Sequence, residues 1–238
     1  IQGEEATLYF TPEQDYIAGF PAFLRDFLPK HRAEFTFLNH SMGKRSGPAF
    51  TNNEVTLSAL GKIGEEISAQ INVDYFIPAV GNGSSILGPA RALSESTVVI
   101  AFESFQSAVA YDLKYLGKYC REFGIEPGIL PRHKIRGTSF RGIDFPHIKT
   151  AIEQGVIDDV FLVSDQEMDE NYFQLTRRND TLRLPHWDMR LEDCHDLGRS
   201  SRAGIAVALQ IADRVRNKNL VIIGYDKIDR YDSLPKFL

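Results

Sequence analysis

A strand, a glycine-rich turn and a helix follow one another without interruption between residues 75 and 93. The apolar run 75–80 predicts a buried strand, and the next five residues form the turn, which we call the cradle: Gly81, Asn82, Gly83, Ser84 and Ser85. Glycine lets the backbone approach a ligand closely, and N–H groups at a helix start attract anions. The serines add hydroxyl donors and a helix cap. The unit therefore predicts either an anion-binding site or a tight strand-to-helix connection in which glycine is needed only for steric reasons.

Short β-branched runs alternate with helical patterns along the chain. Buried strands are predicted at 97–102, 160–163 and 220–224, and helices at 55–70, 108–123, 164–175 and 200–215. This alternation is typical of the α/β class, with a doubly wound, mostly parallel sheet flanked by helices. Ligands of such sheets bind beyond the carboxyl ends of the strands, where the cradle lies.

Two short strands, a helix and a loop are predicted in the first 53 residues. They are a strand at 7–10, a helix that begins near Thr11 and is closed by Pro29, a strand at 35–38 and a loop at 39–53. Loops of that length in compact domains are often functional. Because the chain enters a strand pattern almost at once, we expect that it begins in the middle of a domain.

The composition is that of an ordinary globular chain: 238 residues, 43% hydrophobic, with a net charge of −5. Lysine and arginine are scattered, so no nucleic-acid surface is predicted. No apolar run approaches the roughly 18 residues of a membrane span, and no signal peptide is visible. Cys120 and Cys194 do not make a disulfide framework, which favours a cytoplasmic setting.

Five segments occur in an order that resembles one enzyme family. They are GNGSSILG at 81–88, HKIRG at 133–137, VSDQE at 163–167, GRSSRA at 198–203 and IIGYDKIDRYDS at 222–233. Together they are similar to the GTGGTISG, HKIQG, VSDEE, GISSGA and ILPSSGERYLS segments of the fold-type II pyridoxal-phosphate enzymes. The resemblance is greatest to the cysteine synthase and cystathionine β-synthase branch, and it implies a fold like that of the tryptophan synthase β chain.

The resemblance implies that pyridoxal 5'-phosphate (PLP) is the cofactor and that Gly81, Asn82, Gly83, Ser84 and Ser85 hold its phosphate. Asn82 stands where threonine is usual. Asp226 falls near the serine that meets the pyridine nitrogen, and a carboxylate there would keep that nitrogen protonated. In this reading residues 1–36 are a remnant of a smaller N-terminal domain, and 37–238 form the larger cofactor-binding domain.

Members of the family carry the lysine that binds the cofactor, in a Ser-x-Lys segment, and a Thr-Ser-Gly-Asn loop that binds the substrate carboxylate. Neither motif occurs in this sequence, so both are expected on an upstream segment. Within the chain, Lys227 and Lys134 are the candidates for the lysine role, although most lysines are simply solvated. No other catalytic residue is identified.

The sequence thus predicts β-elimination or β-replacement on a small amino acid, as in cysteine synthase. The alternative is a catalytically silent relative, or a partner subunit that keeps the fold for binding or regulation. The expected partners are an amino-acid substrate and either a second copy in a homodimer or a complementing N-terminal chain, with no nucleic acid and no membrane.

A polar segment at 186–196 is rich in groups that can ligate metals: His186, Asp188, Glu192, Asp193, Cys194, His195 and Asp196. Their spacing matches no recognised zinc pattern. We therefore predict a solvated insertion and no metal site.

Overall fold

The computed structural model describes residues 9–10, 19–31, 33–34, 36, 39–47, 49–124, 133–135, 138, 145–170 and 197–227. The chain divides into two compact units, Ile1–Asn39 and His40–Leu238. The prediction that the first 36 residues are a remnant of a smaller domain stays a prediction.

The first unit contains one described helix, α1 (Gly19–Lys30). Phe23 and Phe27 stack one turn apart with ring centroids 5.0 Å from each other, and Phe27 stacks in turn on His31. Pro29 lies inside the helix, so the prediction that it closes the helix is wrong by one residue. Much of the predicted strands at 7–10 and 35–38, and the helix start near Thr11, lie outside the described residues.

The second unit contains the remaining elements. The helices are α2 (Glu54–Gln70), α3 (Ser84–Ala90), α4 (Ala110–Lys114), α5 (Lys118–Phe123), α6 (Pro146–Glu153), α7 (described over 165–170) and α8 (Arg199–Ala212). The strands are β1 (Arg45–Ser46), β2 (Ala49–Phe50), β3 (Tyr75–Ile77), β4 (Val98–Ser104), β5 (Asp159–Val163) and β6 (Leu220–Ile222).

Four of the described strands form one parallel sheet in the order β5-β4-β3-β6. Strand β3 is therefore internal, and its neighbours come from well-separated parts of the sequence. The predicted parallel α/β sheet is confirmed. Strands β1 and β2 form a separate antiparallel pair within the predicted loop 39–53.

Alternating residues of the sheet supply two cores. Phe76, Val99 and Ala101 pack with residues of α2, α3, α4 and α6 on one face. Ile77, Ile100 and Phe102 pack with residues of α7 and α8 on the other. A strand buried on both faces has a continuous apolar sequence, which is the pattern that predicted these strands.

Helices α2 and α3 approach each other very closely. A Cβ on Gly64 would lie 2.2 Å from the Pro89 carbonyl oxygen, and one on Gly88 would lie 2.9 Å from the Leu60 Cβ. Only glycine allows this approach. This close approach holds α3 against α2. The cradle, at the N-terminus of α3, is held in place with it.

Two predictions about helices are corrected. The helix predicted over 108–123 is two helices, α4 and α5, because the backbone is left-handed at Leu116 and Gly117, with φ of 51° and 77°. Helix α6 was not predicted, although Pro146 at its first turn and the spacing of Ile148, Ala151 and Ile152 are typical of a helix.

No helix of the described residues is long and apolar enough to cross a bilayer.

Candidate active site at the carboxyl edge of the sheet

The cradle begins directly beyond the carboxyl end of β3. Pairing with β4 continues past the strand, since Phe102 N donates to the Pro78 carbonyl at 3.0 Å and Val80 N donates to the Phe102 carbonyl at 2.7 Å. The chain then turns at Gly83, whose φ of 89° is left-handed, and enters α3. The sheet thus holds the start of the cradle, and α3 holds its end.

The Asn82 side chain builds the turn. Its Oδ1 accepts from the Ser84 main-chain N–H at 2.9 Å and from the Ser84 hydroxyl at 2.6 Å, and its Nδ2 donates to the Ser41 Oγ at 3.2 Å. Asparagine is well suited to such a turn because its short side chain can bond to the backbone two residues on. The Asn82 and Ser84 side chains are therefore engaged with each other, a role that the resemblance did not indicate.

Ser85 and Tyr225 join the cradle to β6. The Tyr225 hydroxyl oxygen accepts from the Ala79 N–H at 2.8 Å, and it is also hydrogen-bonded to the Ser85 side chain. Burial raises the pKa of Tyr225, although both hydrogen bonds act in the opposite direction. The phenol is therefore neutral and keeps its proton. Sequence reasoning missed Tyr225, and its only signal was its place at the end of a strand.

Gly83 packs against the start of α6. A Cβ at this position would lie 2.6 Å from the Ile148 nitrogen and 3.0 Å from the His147 carbonyl carbon. The glycine is required twice, once for its positive φ and once for this contact with backbone. Gly83 therefore meets a steric need against protein, and the anion-binding role of the cradle stays a prediction.

Asp226 follows Tyr225 beyond the carboxyl end of β6, the strand next to β3. Its main-chain carbonyl accepts from the Gly198 N–H at 2.6 Å at the start of α8, and its Oδ1 accepts from the Lys227 N–H at 2.8 Å. The Ser201 hydroxyl accepts from the Tyr225 N–H at 2.9 Å. The start of α8 therefore holds the segment 225–227 at the same edge of the sheet as the cradle.

Comparison with solved structures identifies the architecture. O-acetylserine sulfhydrylase isoform 3 from Entamoeba histolytica matches with a TM-score of 0.65 at 20% identity, over 96% of this chain and 57% of that chain. O-acetylserine-dependent cystathionine β-synthase from Helicobacter pylori matches with a TM-score of 0.63 at 22% identity, over 96% of this chain and 62% of that one. The chain has the cysteine synthase fold. The resemblance read from the sequence is confirmed at the level of the fold.

A third structure with this fold is the hydrogen sulfide-producing enzyme from Fusobacterium nucleatum, with a TM-score of 0.60 at 16% identity, over 95% of this chain and 57% of that one. This chain therefore spans about three fifths of the length of the cysteine synthase-like structures that it matches. No protein-family model and no curated protein matches the sequence.

Neither lysine candidate is seen to contact the cradle. Lys134 is exposed; its Nζ lies 3.3 Å from the Asp169 carboxylate, and its main-chain N–H donates to both Asp165 carboxylate oxygens at 2.9 and 3.0 Å. Lys227 is exposed as well, and its backbone forms an antiparallel bridge with Leu197. Their proposed role in catalysis stays a prediction.

The predicted capping box is present where α7 begins. Glu167 accepts from the Ser164 N–H at 2.8 Å, while the Ser164 Oγ accepts from the Glu167 N–H at 3.1 Å. His133 is buried near Asp165, and burial lowers the pKa of its imidazole. The polar segment 186–196 lies outside the described residues; elsewhere, in the part that the structure does describe, no cluster of three metal-ligating side chains occurs.

Proposed function

We propose that this chain is the cofactor-binding part of a PLP-dependent enzyme that carries out β-elimination or β-replacement on a small amino acid. The supporting observation is the cradle itself: a turn with a left-handed glycine, at the carboxyl end of an internal parallel strand, in the cysteine synthase fold. The O-acetylserine- and sulfide-related names of the similar structures agree with this class of reaction.

The donors of the cradle fit a phosphate group. The main-chain N–H groups of Gly83 and Ser85 are at the N-terminus of α3, where the first N–H groups have no acceptor within the helix. The Ser85 hydroxyl can add a further donor when its proton turns from Tyr225 to the phosphate and the neutral Tyr225 hydroxyl donates to the Ser85 Oγ instead. The partial positive charge of a helix start favours an anion. Asn82 and Ser84 shape the turn, so the phosphate would be held chiefly by main-chain groups and Ser85.

When bound, PLP supplies an electron sink for the carbanion that forms when the substrate loses its α-proton. The contribution of the chain would be to hold the phosphate at the cradle and the pyridine ring at Asp226, both of which lie beyond the carboxyl ends of the paired strands β3 and β6. Asp226 would face the pyridine nitrogen and keep a proton there, which strengthens the electron sink. The Gly198 N–H holds the Asp226 main chain through its carbonyl, and the Lys227 N–H bonds the Asp226 Oδ1 and orients the carboxylate.

We infer that the cofactor lysine comes from another segment or another chain, because Lys134 and Lys227 are both exposed and Lys134 is paired with Asp169. The same observation also favours the second candidate, a silent relative or partner subunit that retains the fold. A homodimer, a complementing N-terminal chain, an amino-acid substrate and a cytoplasmic setting are proposals that rest on the sequence.

The first experiment measures PLP binding by equilibrium dialysis, with pyridoxal, which lacks the phosphate, as the comparison ligand. We expect PLP to bind at least tenfold more tightly than pyridoxal, since the cradle recognises the phosphate. Ser85→Ala should weaken PLP binding about fivefold by removing one donor, a loss of ~1 kcal/mol. Ser68→Ala is the matched control, because the Ser68 hydroxyl bonds the Ala92 carbonyl on the far side of α3.

Equal affinity for PLP and pyridoxal would contradict the phosphate role of the cradle and favour the silent relative. A second experiment locates the lysine by borohydride reduction of the PLP-loaded protein and peptide mass mapping. We expect no pyridoxyl group on Lys134 or Lys227. A label on either residue would show that the chain carries its own cofactor lysine.

A further inference from the structure

A buried histidine connects the cradle to the loop that precedes α2. His147, the second residue of α6, has no exposed surface. Its Nε2 accepts from the Asn53 main-chain N–H at 2.9 Å. On the other side, the main chain of Asn82 approaches the ring closely enough to raise the pKa of the imidazole.

The same residues are linked a second time through the loop. The Asn82 Nδ2 donates to Ser41, and the Asn53 Nδ2 donates to the carbonyl of Met42, the next residue, at 3.3 Å. A chain of polar contacts therefore runs from His147 through Asn53 and the loop at 41–42 to the Asn82 side chain. Asn53 also caps α2 through its Oδ1, which accepts from the Thr56 N–H at 3.2 Å.

The contacts define the protonation state of His147. Since Nε2 accepts a hydrogen bond, it carries no proton, and in the neutral ring the proton is on Nδ1. The Nδ1 atom is completely buried, and among the described residues no group bonds it at ordinary geometry. A protonated Nε2 would place a donor against the Asn53 N–H and break this hydrogen bond.

The groups around His147 shift the pKa of its imidazole in opposite directions. Burial is the largest effect and lowers the pKa of the imidazole; Arg91 beyond α3 and His40 in the loop lower it further. The Asn82 main chain and Glu54 at the start of α2 raise it. Glu54 is itself paired with Arg91 at 2.7 Å, so these two charges largely cancel. The net result is a neutral ring at physiological pH.

We propose that neutral His147 is a positioning residue that holds the cradle in its phosphate-binding geometry by joining Asn82 to the cap of α2. The inference rests on the proposed function, because the phosphate is the group that the cradle would bind. His147 contacts no cofactor in this account. It acts through Asn53 and the loop that bonds the Asn82 side chain, and its helix α6 packs against Gly83.

The test measures PLP affinity of three variants by equilibrium dialysis. His147→Leu keeps the volume but leaves the Asn53 N–H without an acceptor, and we expect about tenfold weaker binding. His147→Gln restores an acceptor and a donor on one side chain, and we expect affinity within about twofold of the wild type. Ser68→Ala is again the control, since the Ser68 hydroxyl bonds the Ala92 carbonyl and no residue of this chain of contacts; its affinity should be unchanged.

The pH dependence separates positioning from general stability. PLP binding by the wild type should weaken below pH 6.5, in the range of the lowered His147 pKa, more steeply than binding by His147→Gln. Titration of the phosphate itself is common to both proteins and cancels in the comparison. If His147→Leu does not fold, His147→Asn replaces it, because its shorter side chain cannot reach the Asn53 N–H and should show the same loss.

The outcomes distinguish the two proposals. If the wild type binds PLP and all variants bind it equally with the same pH profile, His147 has no positioning role and the proposed function stands. If the wild type shows no phosphate-dependent binding at any pH, the proposed function fails and this inference fails with it. Histidine ¹⁵N spectra of the cofactor-free chain give an independent readout: a proton on Nε2 of His147, or a titration midpoint at or above 6.5, would overturn the inference.

Discussion

Replacing Gly83 by alanine tests whether the cradle glycine is needed for close packing as well as for its φ angle. Gly155 is the matched control: its φ of 68° is also left-handed, but a Cβ there would meet nothing within 4 Å. A non-glycine residue in the left-handed region costs roughly 1–2 kcal/mol. Alanine recovers about 0.4–1 kcal/mol by restricting the unfolded chain. We therefore expect Gly155→Ala to lower the free energy of unfolding by about 1 kcal/mol.

Gly83→Ala adds an overlap to the same conformational cost. Its Cβ would lie 2.6 Å from the Ile148 nitrogen and 2.8 Å from the Ile148 Cγ1, and the nitrogen belongs to the backbone of α6 and cannot rotate away. Forcing an extra methyl group into a packed site costs about 1–3 kcal/mol. We expect Gly83→Ala to be destabilised by roughly 2–4 kcal/mol in total, and to lose PLP affinity because the turn must shift.

Urea unfolding of the wild type and the two variants, followed by circular dichroism, measures the difference, and dialysis measures the affinity. Equal destabilisation by the two substitutions would refute the packing argument. Unchanged PLP affinity in a folded Gly83→Ala protein would show that the cradle geometry does not matter for binding.

Three further substitutions probe the parts of the fold that support the site. Burial raises the pKa of Glu103 to about 7 from 4.5, so between these pH values the folded protein retains a proton that the unfolded chain has lost. The free energy of unfolding should therefore fall by about 3 kcal/mol as the pH rises from 4.5 to about 7. Glu103→Gln should abolish this pH dependence in urea titrations, and an unchanged pH dependence would assign it to other groups. Tyr225→Phe leaves the Ala79 N–H without its acceptor and should cost about 1–3 kcal/mol in thermal unfolding; a melting temperature equal to that of the wild type would contradict this bond. Gly64→Ala places a methyl group 2.2 Å from the Pro89 carbonyl oxygen, so we expect a loss of about 2 kcal/mol or more in urea unfolding, and a neutral effect would show that α2 and α3 can separate.

The sheet was predictable because its strands are buried on both faces and therefore stand out as continuous apolar runs. The same signal placed the cradle correctly, since the turn follows β3 directly in the sequence. Helix α6 was missed because it is short, eight residues long, and carries only three fully buried side chains, one of them a histidine. The break between α4 and α5 was missed although Gly117 is a residue type that commonly ends helices; the left-handed Leu116 beside it has no sequence signature.

The inner structure of the site was not predictable, because its contacts join distant parts of the chain. Asn53 and His147 are 94 residues apart, and Ala79 and Tyr225 are 146 residues apart. The assignment of Asn82 and Ser84 to the phosphate stays a prediction, and the structure adds that their side chains bond to each other within the turn. A single sequence identifies the residue types in a turn, but not which of their donors remain available for a ligand.

The bond between Tyr225 and Ala79 also sets an order of assembly. Strand β4 follows β3 closely in the sequence, whereas β6, on the other side of β3, arrives more than a hundred residues later. A growing polypeptide can form β3, β4 and the turn early. Tyr225, whose hydroxyl bonds the Ala79 N–H below the turn, is translated far later. During synthesis the β6 side of β3 must stay unpaired until then, and the PLP binding that we propose should appear only after β6 and Tyr225 have been translated.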